Sequence, residues 1–403
     1  MSELLTFQLS DRIANMEESA TLAMAAKARE FKSKGINVIS LSLGEPDFKT
    51  PKHIQDGAKQ AIDEGKYFAY PPVPGYQDLR EAIVKKFKEE NNISYQPENI
   101  VVSNGAKQSI ANVMFALLNP GDEVVVYSPY WVSYSALIQL AEGKPVFIKG
   151  GIENEFKASA QQLREAITDK TKAVIFSSPC NPTGSVFTRK ELEEMSQVIL
   201  EHDNIMVIAD EIYEHINYTE EKVSIASLPG MVDRTVTVNG FAKGFAMTGW
   251  RVGYIGAPAW LAKGCTKMQG QFTSANCSIA QRAALTALTS DLGPTFEMKK
   301  AYEERRQLVF DLLSDIPGIK TNMPKGAFYF FPDVSSYFGK SADGVQINNA
   351  SELCMYILDK AHVSLVTGEA FGDPNCIRLS YAASEAELKE ALKKIKEVLS
   401  LLS

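Results

Sequence analysis

Histidine and cysteine are scarce in this chain, at four and five of 403 residues. His53, His202, His215 and His362 stand far apart, with no i, i+4 pair, so they read as structural and no metal site is expected. The cysteines are odd in number and form no Cys-x-x-Cys, which argues against a disulfide framework or structural zinc and for a reducing cytoplasm. Basic charge is also in short supply. Lys and Arg total 42 against 49 acidic residues, a formal net charge of -7, and no basic stripe stands out, so nucleic acid is not the expected partner. Long apolar runs are missing too. The run Ile110–Leu118 is broken by Asn112 and falls well short of the roughly 18 residues that read as a membrane span. The first twenty residues lack a basic segment followed by an apolar core and carry acidic residues early, so no targeting leader is expected. No Gly-x-Gly-x-x-Gly follows a strand and no Gly-x4-Gly-Lys-Ser/Thr occurs, which disfavours a dehydrogenase or a P-loop NTPase.

What is present is an ordinary globular balance, 45% hydrophobic and 23% charged, enough for a large core and two domains. Between about residues 97 and 256, short apolar runs alternate with helical periodicity. The runs are Ile100–Ser103, Glu123–Tyr127, Pro145–Lys149, Ala173–Ser177, Ile205–Ala209, Thr235–Val238 and Val252–Ala257. A helix is expected over 106–118, and another over 189–202, opened by a Thr188/Glu191 capping box. This alternation predicts an α/β fold with a mainly parallel sheet, whose sites lie beyond the carboxyl ends of the strands. After about residue 292 the texture becomes that of a smaller α+β domain, with strands expected at Ala327–Phe331, Val363–Val366 and Cys376–Ser380 and a final helix from Ser384. Val38–Leu43 reads as a strand in need of a partner there. The expected division is 1–50 for an arm and the first part of the small domain, 51–295 for the large domain, and 296–403 for the rest of the small one.

Five polar features fall at strand ends. Asp210 closes an apolar strand and is either a cap or ion-pair partner, or the counter-charge of a buried cation such as a protonated pyridine nitrogen. Lys243, on a glycine-containing loop after a strand, is either a solvated surface lysine or an amine nucleophile in a desolvated setting. Ser103–Gln108 is either a plain turn or a helix N-terminus that cradles phosphate, to which Arg251 can add a guanidinium. Ser178–Gly184 is either a purely structural turn or a rigid turn that presents Asn181 to a site. Arg378, inside an apolar run, serves a structural ion pair or binds a planar carboxylate.

Together these motifs resemble the aspartate aminotransferase family of fold-type I enzymes dependent on pyridoxal phosphate (PLP). The strings Ser128-Pro129-Tyr130-Trp131, Asn181-Pro182-Thr183-Gly184 and Met247-Thr248-Gly249-Trp250-Arg251 are similar to those of its bacterial branch, in unbroken order from about Leu9 to the C-terminus. The resemblance implies a large, mainly parallel seven-stranded sheet domain beside the smaller α+β one. It implies that Lys243 holds PLP covalently and later moves a proton. Asp210 would pair with the pyridinium nitrogen, Tyr213 and Asn181 would bond the phenolic oxygen, and Trp131 would stack on the ring. The backbone of Gly105, Ala106 and Lys107, with Arg251, would hold the phosphate. Tyr70 would reach the phosphate of the other subunit of a homodimer. Arg378, Asn181 and Gly44 would bind the substrate α-carboxylate, with Trp131 beside the substrate. Cys180 stands where many relatives have Asn, and Gly240 where some have a phosphate-binding Ser.

The implied reaction is transamination between L-aspartate and 2-oxoglutarate, with the ammonium of Lys107 taking the distal carboxylate. An alanine or aromatic aminotransferase, or a carbon–sulfur lyase, is the alternative on the same fold. A transcription regulator with an aminotransferase-like domain is not expected, because no DNA-binding extension is evident. A scaffold without catalysis is disfavoured by the presence of both Lys243 and Asp210. Thr21 is shared with relatives that also accept prephenate, but Glu17 stands where their pattern has lysine, so prephenate is expected to be a poor substrate.

Overall fold

All seven apolar runs become strands of a single sheet in the computed structural model, which describes residues 8–14, 16, 18 and 20–403. Across the sheet the order is Ile100–Ser103, Gly253–Gly256, Thr235–Gly240, Met206–Asp210, Thr171–Ser177, Glu123–Ser128 and Lys144–Lys149. Every pairing is parallel except those of Gly253–Gly256, which runs antiparallel to both of its neighbours. Side-chain alternation serves two cores. Val124 and Val126 face helix Ala106–Leu117 through Ile110, Val113 and Met114. Val125 and Tyr127 face helix Arg189–Leu200 through Leu192, Met195 and Ile199. That second helix starts where its capping box places it. The Thr188 side chain accepts from Glu191 N–H, and the Glu191 carboxylate accepts from Thr188 N–H at 2.7 Å, an arrangement worth about 1 kcal/mol.

The remaining strands are short. Ile39–Ser40 pairs in parallel with Val363–Ser364, while Val366–Thr367, Ile377–Ser380 and Tyr329–Phe330 form a three-stranded antiparallel sheet. Ile39 and Leu41 pack into the same core as Phe328, Phe330, Leu379 and helix Glu385–Leu399. The strand expected over Val363–Val366 is split, Val363–Ser364 in one sheet and Val366–Thr367 in the other, and two further elements are shorter than their apolar patterns predict. Ala327 adopts φ +56°, outside extended backbone, so the ladder holds only Tyr329–Phe330. The strand expected over 38–43 is regular only at Ile39–Ser40 because its later carbonyls leave the ladder: Ser42 O accepts from Arg378 and Gly44 O from Lys243. The hydrogen bonds that end this strand bring it to the site.

Candidate active site

The carboxyl ends of the central strands and the first turn of helix Ala106–Leu117 meet the segment around Gly44 and strand Ile377–Ser380 at one cavity of about 600 Å³. Every residue that the resemblance assigns to the cofactor or to the substrate lines it except Tyr70 and Gly105. Tyr70 is 93% exposed, and Gly105 lies just behind the wall as the helix N-cap.

At the base sits Asp210, 4% exposed. Burial pushes its carboxyl up to about 6, and the hydrogen bonds from Tyr134 Oη at 2.7 Å and Ile212 N–H at 3.2 Å oppose that rise. No cation forms an ion pair with it among the described residues, so the buried charge is left facing the cavity. Lys243 lies across from it. Its Nζ donates to Gly44 O and lies 5.6 Å from the centre of the Tyr213 ring. Burial lowers this amine to about 8, helped by Arg378 and Arg251 and opposed by Glu45 and Asp210. A neutral amine is therefore accessible near neutral pH, which a nucleophile toward carbonyl compounds needs.

One end of the cavity suits a phosphate. Gly105 has φ +82°, and a Cβ there would collide with the Arg251 guanidinium. Only glycine lets that arginine press against the helix N-terminus. Ala106 and Lys107 N–H make no hydrogen bond among the described residues, whereas Gly105 N–H is already given to Ser103 O at 2.8 Å. The predicted cradle therefore loses one backbone donor and keeps two, with Arg251 beside them. Among the described residues the Arg251 side chain donates only to carbonyls, Thr248 O at 3.1 Å and Asn104 O at 3.3 Å. A cation without a carboxylate partner at a helix N-terminus is suited to an anion.

The other end suits a carboxylate. Arg378 is 2% exposed, donates to Asn181 Oδ1 at 2.9 Å and Ser42 O at 2.6 Å, and pairs with no carboxylate among the described residues. Its Nε is buried without a partner. Its guanidinium packs over the rings of Tyr329 at 4.6 Å and Phe371 at 4.8 Å, which fixes the plane of the fork. The structural ion pair considered for Arg378 is thus not made. Lys107 Nζ lies 5.1 Å over the Trp131 ring, and burial lowers its pKa, with Arg251 adding to the effect. Lys107, Lys243, Arg251 and Arg378 outnumber Glu45 and Asp210 on the wall, so the cavity favours anions.

Among the wall residues that sequence reasoning missed, Tyr134, Tyr329 and Glu45 bear most on the chemistry. Tyr134 follows Trp131 by one helical turn, a spacing that was there to be read. Tyr329 stands in the run Phe328–Phe331, where nothing marks which aromatic faces the site. Glu45 follows Gly44 and makes no ion pair among the described residues. Thr21 and Leu22 also line the cavity, whereas Glu17 lies outside the described residues. A second acidic cluster, Glu90, Glu214 and His215, was not anticipated. Lys86 already supplies its cation, in contact with Glu214 and 3.8 Å from Glu90. No described helix is long and apolar enough to cross a membrane.

Comparison with known proteins places this geometry. The family model described as aminotransferase class I and II matches residues 36–395. The chain is similar to a bifunctional aspartate aminotransferase and glutamate/aspartate-prephenate aminotransferase of Petunia hybrida, 47% identical over 97% of this chain and 82% of that one. It is 41% identical to an aspartate aminotransferase of Bacillus subtilis, over 96% of this chain and 98% of that one. The crystal structure of the aspartate aminotransferase from Rhizobium meliloti superposes with a TM-score of 0.95 at 40% identity, covering 99% of this chain and all of that one.

Proposed function

Because the chain belongs to the class I and II aminotransferases, we propose that it binds PLP on Lys243 and transfers the amino group of L-aspartate to 2-oxoglutarate, giving oxaloacetate and L-glutamate. The observation that carries this reading is one cavity holding a buried amine, a buried carboxylate opposite it and a buried arginine, none of them in an ion pair among the described residues. Relatives named for aspartate support the substrate.

The donor set fits PLP. Arg251 with Ala106 and Lys107 N–H would hold the phosphate, Trp131 would cover the ring, Asp210 would pair with the pyridine nitrogen, and Tyr213 and Asn181 would bond the phenolic oxygen. PLP, when bound, supplies the electron sink that makes the substrate Cα acidic. Lys243 Nζ would hold the cofactor and, once freed by substrate, would move the proton at Cα. Arg378, steadied by Asn181 and Ser42, binds the α-carboxylate by its fork and so orients Cα toward Lys243, with the Gly44 backbone closing that end. Lys107 reaches the distal carboxylate with its ammonium, while its backbone N–H serves the phosphate.

A panel of amino donors run with 2-oxoglutarate tests the substrate. Aspartate should lead, and Lys107→Ala should cut its kcat/KM by roughly 30-fold or more, since losing one partner of a desolvated charge pair costs about 2–5 kcal/mol. Uncharged donors should fall far less. An equal fall for both classes would show that Lys107 serves the cofactor alone. Prephenate should have the lower specificity constant because of the carboxylate of Glu17, and equal constants for prephenate and aspartate would remove that residue from the account.

The rest of the reading concerns assembly and place. The active unit is a homodimer in which Tyr70 reaches the partner's phosphate. The exposure of Tyr70 at 93% and of nearby Phe68 at 71% supports an interface there, and a fully active monomer in sedimentation at assay concentration would contradict it. Residues 51–295 act as the large domain and 1–50 with 296–403 as the small one. The pairing of Ile39–Ser40 with Val363–Ser364 supports that division, and matching hydrogen-exchange protection across residue 295 would oppose it. A cytoplasmic setting agrees with five unpaired cysteines, and fractionation of the source cell tests it.

A further inference from the structure

We propose that Tyr329 is a positioning residue: its hydroxyl donates to that of Tyr213, and thereby commits the Tyr213 proton to the phenolic oxygen of the bound cofactor. The inference rests on the PLP reading above.

The two phenol oxygens lie 2.7 Å apart, and both residues are buried, Tyr329 completely. Distance alone does not assign the donor, but the role of Tyr213 toward the phenolic oxygen does. A buried hydroxyl needs an acceptor for its proton. Among the described residues, Tyr329 Oη hydrogen-bonds only to Tyr213 Oη. No backbone carbonyl among the described residues, that of nearby Gly44 included, accepts from it. Among the described residues Tyr213 has no other protein partner for its hydroxyl, and both phenols line the cavity. A phenol has one proton, and on the PLP reading that of Tyr213 goes to the phenolic oxygen, so the arrangement that satisfies both groups runs from Tyr329 to Tyr213 to the cofactor. The reverse arrangement would leave Tyr213 with no proton for the phenolic oxygen.

The packing holds this chain in place. A Cβ on Gly44 would collide with Tyr329 Oη, so that glycine makes room for the hydroxyl. The Tyr329 ring meets the Tyr213 ring edge-on at 5.8 Å and carries the Arg378 guanidinium on its face at 4.6 Å. Burial raises both phenols, so both keep their protons at neutral pH. Successive hydrogen bonds polarise one another, so a Tyr213 that accepts from Tyr329 is the stronger donor to an anionic oxygen.

The bound cofactor reports on this through its colour, which changes when the group joined to Lys243 gains or loses a proton. Weaker donation to the phenolic oxygen makes that proton harder to lose. Tyr329→Phe removes only the hydroxyl. It should raise the pH of the colour change by on the order of half a unit, in the same direction as Tyr213→Phe and by less. The double variant should titrate like Tyr213→Phe alone, because Tyr329 acts through Tyr213. As a second probe that leaves the packing intact, 3-fluorotyrosine at position 329 is a more acidic donor and should shift the transition downward. A Tyr329→Phe transition at the unmodified pH, or full additivity in the double variant, overturns the inference. Should Tyr329→Phe fail to fold, the fluorinated chain decides: an unchanged or raised transition overturns it. Protein that takes up no coloured PLP at all would sink the cofactor reading itself, and that outcome is distinct from an unshifted transition.

Discussion

Lys243→Ala should abolish transamination, with a loss of at least about 10⁴-fold, because a covalent anchor and a proton-transfer group vanish together. Conservative replacement should not rescue it. The guanidinium of Lys243→Arg keeps its proton where the wild-type amine, lowered to about 8, does not. The same depressed pKa gives the pH dependence of cofactor uptake. Only the neutral amine attacks the aldehyde, so the rate of PLP capture by stripped protein should climb with pH and level off above about 8. An ordinary lysine would keep climbing for a further two units or so. Stopped-flow absorbance across pH 6–10 separates the two curves. Turnover by Lys243→Ala near the normal rate would remove this residue from the chemistry.

Asp210→Ala should weaken PLP binding and slow turnover by roughly 10³-fold or more, since the pyridinium nitrogen loses its only counter-charge. The stripped protein should respond in the opposite sense. A carboxyl raised from 3.8 to about 6 is harder to ionise in the fold than in the unfolded chain. Keeping it ionised therefore costs stability, about 3 kcal/mol for a shift of this size. That cost is fully present above about pH 6 and fades as pH falls toward 3.8. Asp210→Asn, which carries no charge, should make the PLP-free protein more stable at pH 8 by about that amount, with the gain vanishing near pH 4. Denaturant titrations at the two pH values measure it. Equal stability of the two proteins at pH 8 would mean that something in the fold already neutralises Asp210. A residue that destabilises the empty protein and serves the loaded one is placed for function.

How much of this could be read from sequence depended on which interactions set each feature. The main sheet was legible because all its strands but the edge strand Lys144–Lys149 are buried runs, most with β-branched residues, and the two expected helices beside it matched because periodicity and the Thr188/Glu191 box are local. Residues at strand ends, such as Asp210, were legible for a related reason: a polar group that ends a buried strand stands out against it. Features set by tertiary contact were not legible. The early end of the strand at Ile39–Ser40 is decided by Arg378 and Lys243, more than 300 and 200 residues away in sequence. The loss of Gly105 N–H from the phosphate cradle is decided by its bond to Ser103 O, a detail of one turn's geometry. Tyr329 sits among aromatics that all look like core, and only the collision a side chain at Gly44 would cause shows why this hydroxyl matters.

The central claim is that Lys243 and Asp210 serve a PLP-dependent transfer of the aspartate amino group, and a single half-reaction tests it most directly. The purified PLP-bound protein is mixed with L-aspartate, without any oxo acid, while its absorption spectrum and the oxaloacetate formed are recorded together. The account predicts that the yellow form bleaches to the pyridoxamine form with one oxaloacetate released per site, and that adding 2-oxoglutarate restores the colour. A spectrum unmoved by aspartate, or bleaching without oxaloacetate, would contradict it.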